Sequence, residues 1–272
     1  MRPLILLSND DGIAAPGLRA LREALAQHGD VIVCAPEANQ SATSHSLSLH
    51  RILRLRHVST LAEGEGPAPG VFAVDGTPAD CVYVALHSGT RILARRPDLV
   101  VSGMNHGLNL GLDVFYSGTV AAAREAALRG IPSIAVSADA GADRRAAARL
   151  GAAIALATLD AFAKVPAGSP APLLNVNFPP GEAWTVRATC LGARLYTDEV
   201  DYRVDPRSRE YLWIGGAGAV RHDHVSGSDT EAYDAGVASV TPLTLDLWAA
   251  AGADFAADVA RLGSGDAPKP QG

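Results

Sequence analysis

Leu4-Ile5-Leu6-Leu7-Ser8-Asn9-Asp10-Asp11-Gly12 is the stretch on which the reading of this chain turns. A short apolar run that passes abruptly into two neighbouring carboxylates and a glycine has the pattern of a buried strand ending in a polar turn at the rim of a sheet. Within a strand the period of two sends adjacent side chains to opposite faces, so Asp10 and Asp11 can converge only after the strand has ended. Gly12 makes that turn easy. Two anions this close repel, and a shared proton, a cationic side chain or a metal ion relieves the repulsion. The stretch holds no Lys or Arg, which turns the reading towards a metal. The alternative is that one Asp caps the next helix while the other stays in water.

Working outward, Pro16-Gly17 is followed by Leu18, Leu21 and Leu25 at helical spacing, and His28-Gly29 stops the helix. Val31 to Ala35 is a second buried strand, and the right-handed crossover rule makes it parallel to the first. Pro36 ends it. The loop from Asn39 to Ser44 then leaves from the same carboxyl edge as Asp10 and Asp11, where ligands of open parallel sheets bind. Ser41 is thus a neighbour of the acidic pair, unless its hydroxyl only satisfies its own loop. Ala62 to Gly70 has the composition of a surface loop. Val71 to Val74 reads as a strand, and Thr77 caps a packing helix that opens on Pro78.

Pro97 to Gly103 gives a third buried strand, running out into Met104-Asn105-His106-Gly107. Glycines at 103, 107 and 111 let backbone approach a bound group, but their spacing is not the G-x-G-x-x-G of a dinucleotide site. Asn105 joins Asp10, Asp11 and Ser41 on one edge as a set of oxygen donors, which suits Mg²⁺ or Mn²⁺ better than zinc. His106, adjacent, is either a loop histidine in water or an acid or base. Ser117-Gly118-Thr119 opens the helix-forming run that ends at Gly130. Hydroxyls and free backbone N–H groups there surround a partial positive charge, a ready anion site. A plain N-cap explains either hydroxyl alone; glycine between the two points to phosphate.

Ile131 to Ser137, Arg144 to Phe162 and Leu173 to Pro179 add a strand, a helix and a strand to the same sheet. Beyond Trp184 the segments alternate, as in Thr185 to Thr189 and Glu210 to Ile214, the pattern of an antiparallel extension. Ser226 to Glu231 caps a short helical piece before a strand over Val237 to Leu243. The fold expected is α/β: a three-layer, mostly parallel Rossmann-like sheet with helices on both faces and a C-terminal antiparallel β extension. Residues 1–183 form the catalytic core, 184–262 the β-rich extension with a C-terminal helix, and 263–272 a flexible tail.

Composition narrows the function. With 48% hydrophobic residues in 272 the chain can bury a large core. A net charge of −6 argues against holding long nucleic acid by an overall field, since that needs Lys and Arg to displace counterions. Lysine occurs only as Lys164 and Lys269, so a cationic catalytic side chain has to be arginine or histidine. Cys34, Cys81 and Cys190 form no C-x-x-C pair, which fits a reducing compartment. No apolar run reaches the length of a signal-peptide core or a membrane span. The expectation is a cytoplasmic protein without membrane attachment.

With these residues in place the chain resembles the SurE, or survival protein E, family of metal-dependent nucleoside monophosphate phosphatases. The motifs are Ile5 to Leu18 (ILLSNDDGIAAPGL), Cys34 to Ser41 (CAPEANQS), Val74 to Asp80 (VDGTPAD), Val101 to Val120 (VSGMNHGLNLGLDVFYSGTV), Leu174 to Pro179 (LNVNFP) and Ser228 to Leu243 (SDTEAYDAGVASVTPL), in the family's order over nearly the whole chain. Small departures are Ala42, where glycine usually follows the serine, Met104 for isoleucine, and Val237-Ala238 where a tyrosine usually follows the glycine. The resemblance implies one divalent ion per subunit, Mg²⁺ or Mn²⁺, on Asp10, Asp11, Ser41 and Asn105. It implies a phosphate site at Ser117-Gly118-Thr119 with Asn9, and Asp10 and Asp11 as catalytic residues. It also implies nucleoside 5′- and 3′-monophosphates as substrates, short polyphosphate as a further one, and homodimers or homotetramers that exchange the C-terminal extension.

Phosphate-monoester hydrolysis needs accelerations of up to about 10²¹-fold. A site poor in cationic side chains draws its electrostatic help from a metal and a helix terminus. A covalent phospho-aspartate route of the haloacid-dehalogenase type needs a second Asp two residues after the nucleophile, where Gly12 stands. A receiver-like switch needs an acceptor Asp at a later strand end and a lysine; the strand at 99–101 leads to Ser102 and Asn105 instead. A nucleotide-binding sensor without turnover remains the alternative that phosphate release would decide.

Overall fold

The first strand's alternation dictates the layers. Ile5 and Leu7 face one side of the sheet and Leu4 and Leu6 the other, all buried, so helices are required on both faces. The computed structural model describes residues 2–59, 69–195, 200–214 and 221–263. Most of the surface loop expected over 62–70, and nearly all of the tail expected over 263–272, lie outside them.

The strands are β1 (Leu4–Ser8), β2 (Asp30–Pro36), β3 (Leu55–His57), β4 (Val71–Val74), β5 (Leu99–His106), β6 (Ser133–Ala138), β7 (Leu173–Phe178), β8 (Val186–Ala188), β9 (Ala193–Leu195), β10 (Val200–Val204), β11 (Glu210–Ile214), β12 (Arg221–Asp223) and β13 (Ala238–Leu243). The α-helices are α1 (Pro16–Ala26), α2 (Pro78–His87), α3 (Gly118–Leu128), α4 (Arg144–Phe162), α5 (Asp229–Asp234) and α6 (Ala253–Gly263). The main sheet runs β3-β4-β2-β1-β5-β6-β7-β13-β8. Its centre, β4 through β7, is parallel throughout. β3 is antiparallel at one edge, and β13 pairs antiparallel with β7 at the other.

On one face α1 and α4 bury Leu18, Leu21, Leu25, Ala147 and Ala155 against Ile5, Leu7, Val101 and Val136. Each such leucine contributes roughly 1.5–3 kcal/mol when fully withdrawn from water. On the other face α2 and α3 bring Val82, Ala85, Ala122 and Ala126 onto Leu4, Leu6 and Val100. α2 begins as read from Thr77: its hydroxyl accepts the Asp80 N–H while the Asp80 carboxylate accepts the Thr77 N–H, a reciprocal cap. Among the described residues no helix is long and apolar enough to cross a membrane.

β5 departs from the expectation that it ends near Gly103. It pairs with β6 as far as His106, with a register shift between Gly103 and Asn105. Gly103 has φ +137°, and a Cβ there would lie 2.3 Å from the Val136 carbonyl oxygen. An irregularity built on this glycine absorbs the extra residue, so Asn105 stands on the strand's last turn of pleat and not in a loop.

The segment 184–262 divides. β8 and β13 complete the edge of the main sheet, whereas β10–β11 and β9–β12 are two separate antiparallel pairs. The first of these carries exposed Tyr202, Leu212, Trp213 and Ile214.

Candidate active site

The carboxyl ends of β1, β2 and β5 and the start of α3 meet at one place. Asp10 follows β1 and is almost wholly buried, only 4% exposed. The Thr119 hydroxyl donates to its Oδ1 at 2.5 Å. The Gln40 N–H donates to its backbone carbonyl at 2.7 Å, which fixes the loop after β2 beside it. Burial pushes the Asp10 carboxyl up to about 6, the Thr119 hydroxyl opposes that rise, and the neighbouring Asp11 charge adds to it. A buried acid in this state either keeps its proton or takes a positive partner.

Asp11 is half-buried; its Oδ2 accepts the His106 N–H at 2.9 Å, tying the end of β1 to the end of β5. Asp11, Asn105 and His106 line one cavity of about 360 Å³. Asn105 donates Nδ2 to the Gly107 carbonyl at 2.9 Å, which leaves its amide oxygen available as an acceptor. Asn9 is fully buried; Nδ2 donates to the Gly12 carbonyl at 2.9 Å, and its Oδ1 has no partner among the described residues. Ser41 is exposed, and both its N–H and its hydroxyl donate to Asn39 Oδ1, at 2.9 and 2.7 Å. Its link to the acidic pair runs through its own loop. The next residue, Ala42, has φ +57°, a backbone that glycine adopts at less cost.

At the α3 start the two hydroxyls divide their work. Ser117 Oγ accepts the Val120 N–H as the N-cap, and Thr119 serves Asp10. The anion lying at this helix N-terminus is therefore the chain's own Asp10 carboxylate. Gly118 is the close approach: a Cβ there would lie 2.9 Å from Asp10 Cβ and 3.1 Å from Pro78 Cγ.

The donors fit a hard divalent cation. They are two carboxylates, a neutral amide oxygen and a hydroxyl, the ligand chemistry of Mg²⁺ or Mn²⁺. Among the described residues no three His, Cys, Asp or Glu side chains gather to hold a metal, so a nitrogen and sulfur site of the zinc type is not built here.

The family model described as Survival protein SurE matches residues 5–198. The chain belongs to the SurE family. It is 72% identical over 250 residues to the 5′-nucleotidase SurE of Sorangium cellulosum (strain So ce56), covering 92% of this chain and 93% of that protein. It is 52% identical over 247 residues to the 5′-nucleotidase SurE of Anaeromyxobacter dehalogenans (strain 2CP-C), covering 89% and 90%. The crystal structure of the SurE protein from Aquifex aeolicus superposes with a TM-score of 0.76 at 34% identity, over 95% of this chain and all of that one.

Sequence reasoning missed what holds the SurE site together from behind. Asn109 is gripped by β6 and β7: its N–H donates to Asn177 Oδ1, its Nδ2 to Ser137 Oγ, and its carbonyl accepts from Asn175 and Asn177. The signal was present in Leu174-Asn175-Val176-Asn177, where the period of two puts both amides on one face. A second hold comes from the extension. Asp229, fully buried, accepts the Gly111 N–H at 3.0 Å and the Gly192 N–H at 2.7 Å. Beside it Arg194 pairs with Asp113 at 2.6 Å. No local pattern announces contacts that join residues 118 apart in the chain.

Proposed function

We propose that this SurE-family chain is a 5′-nucleotidase, releasing inorganic phosphate from nucleoside 5′-monophosphates with one Mg²⁺ or Mn²⁺ held by Asp10, Asp11, Ser41 and Asn105. The observation that carries this reading is the meeting of the acidic pair with the start of α3, through Thr119 on Asp10. The printed names of relatives at 72% and 52% identity supply the substrate class. When bound, the cation supplies Lewis-acid charge to the phosphoryl oxygens and acidifies water.

The chain's own residues do the rest. The α3 N-terminus, with Asn9, Ser117, Gly118 and Thr119 around it and Asp10 already held by Thr119, draws the phosphoryl oxygens towards its partial positive charge as their own charge develops. Asp10 is committed to Thr119, whereas Asp11 faces the cavity; Asp11 therefore orients the attacking water. Nucleoside 3′-monophosphates and short polyphosphate offer the same anionic head and belong to the same proposal. The protein works in the cytoplasm as a homodimer or homotetramer, and the exposed apolar side chains of β10 and β11 support the extension as the subunit contact.

The test is phosphate release from a panel of nucleoside monophosphates with Mg²⁺, Mn²⁺ or EDTA, on wild type and Asp11→Asn. Hydrolysis that EDTA abolishes and metal restores is expected, with a loss of at least about 100-fold in the folded variant. Equal rates in the variant and wild type, or indifference to EDTA, overturns the site. Tight nucleotide binding with no phosphate released makes the protein a sensor.

A further inference from the structure

The cavity beside the acidic pair extends well beyond it. From Asp11 and Asn105 its lining passes over apolar Pro16 and Met104 to Asp139 and Arg144, which follow β6. β1, β5 and β6 are consecutive in the sheet, so this wall spans two strand spacings, about 10 Å. A phosphate alone needs no such length.

Arg144, the first residue of α4, is exposed on this wall. Among the described residues it makes no ion pair or hydrogen bond. Its acidic neighbour on the wall is already engaged: Asp139 Oδ1 accepts the Gly141 N–H at 2.8 Å, and Oδ2 accepts the Tyr233 hydroxyl at 3.2 Å. In a chain of net charge −6, an arginine that lines a cavity without a carboxylate partner is positioned for an external ligand. A planar guanidinium stacks on π faces and donates to ring nitrogens and carbonyls, and every nucleobase offers both.

We propose that this wall is the nucleoside subsite and that Arg144 is the residue that recognises the base. The proposal rests on the nucleotidase reading for its substrate class and adds where the leaving half lies. Because stacking accepts any base, Arg144 gives affinity for a nucleoside over a bare sugar phosphate, with little choice among bases.

The experiment compares wild type, Arg144→Ala and Arg144→Lys in two assays. In steady-state phosphate release from AMP and from ribose 5-phosphate, Arg144→Ala should raise KM for AMP about tenfold, leave kcat within about twofold, and leave ribose 5-phosphate unchanged. Arg144→Lys should recover little, because an ammonium has no plane to stack. An equal change on both esters makes Arg144 a phosphate contact and overturns the proposal, as does no change on either. In calorimetric titration with adenosine, which needs no turnover, wild type should bind and Arg144→Ala should bind about tenfold more weakly. Equal binding, or none by wild type, overturns the subsite. Adenosine binding that depends on Arg144 in a protein that hydrolyses neither ester would uphold the subsite and sink the nucleotidase reading alone.

Discussion

Asp10 shows how one buried side chain ties stability to pH. Its carboxyl is pushed from the ordinary 3.8 to about 6, chiefly by burial. The native state therefore holds a proton that the unfolded chain has already released between those pH values. Stability is then full below pH 3.8 and falls as pH rises towards 6. The interval corresponds to roughly 3 kcal/mol. In EDTA at pH 7.5, Asp10→Asn should melt several degrees above wild type, and the difference should vanish at pH 4 in the same calorimetric scan. An amide oxygen still accepts the Thr119 hydroxyl, so the variant keeps its local geometry. The carboxylate chemistry of this position was legible in the sequence from the strand that precedes it. Its burial was not, because that depends on α3 arriving from more than a hundred residues away.

At the scale of elements, α1 and β5 approach each other closely through backbone near the site. A Cβ on Gly17 would lie 2.1 Å from the Met104 carbonyl oxygen. Helix propensity favours alanine over glycine by about 1 kcal/mol, but the obstacle here is backbone, which cannot turn aside. Gly17→Ala is accordingly expected to destabilise by about 1–3 kcal/mol in urea unfolding. It should also lower the hydrolysis rate, since Met104 precedes Asn105. The bounds of α1, β4 and α4 and the start of α2 could be read almost to the residue, because Pro16, Thr77-Pro78 and the apolar spacings are local signals. The continuation of β5 to His106 could not: it depends on a glycine irregularity that only pairing with β6 reveals. β3, three residues long with exposed side chains, carries no periodicity that would mark it as a strand.

For the whole molecule, the C-terminal extension is bound into the site. The Asp229 carboxylate satisfies two backbone N–H groups, one on the segment that leads to α3 and one ahead of β9. A Cβ on Gly111 would lie 2.5 Å from the Gly192 carbonyl oxygen, so the two segments touch through backbone. Asp229→Ala leaves both buried donors unpaired and should cost about 2–4 kcal/mol. Hydrogen exchange at Gly111 and Gly192 should speed up together, and kcat should fall more than KM rises. Exchange confined to Gly192, with the rate of hydrolysis intact, would separate the extension from the site.

That hold has a consequence during biosynthesis. Every oxygen donor of the acidic centre has been translated by residue 105, and the helix facing it is complete by Leu128, yet Asp229 emerges much later. A ribosome that stalls in between leaves a product with all its reactive groups and no brace behind them. A chain truncated after Leu128 is therefore expected to release no phosphate in the same assay, although it carries every oxygen donor of the acidic centre.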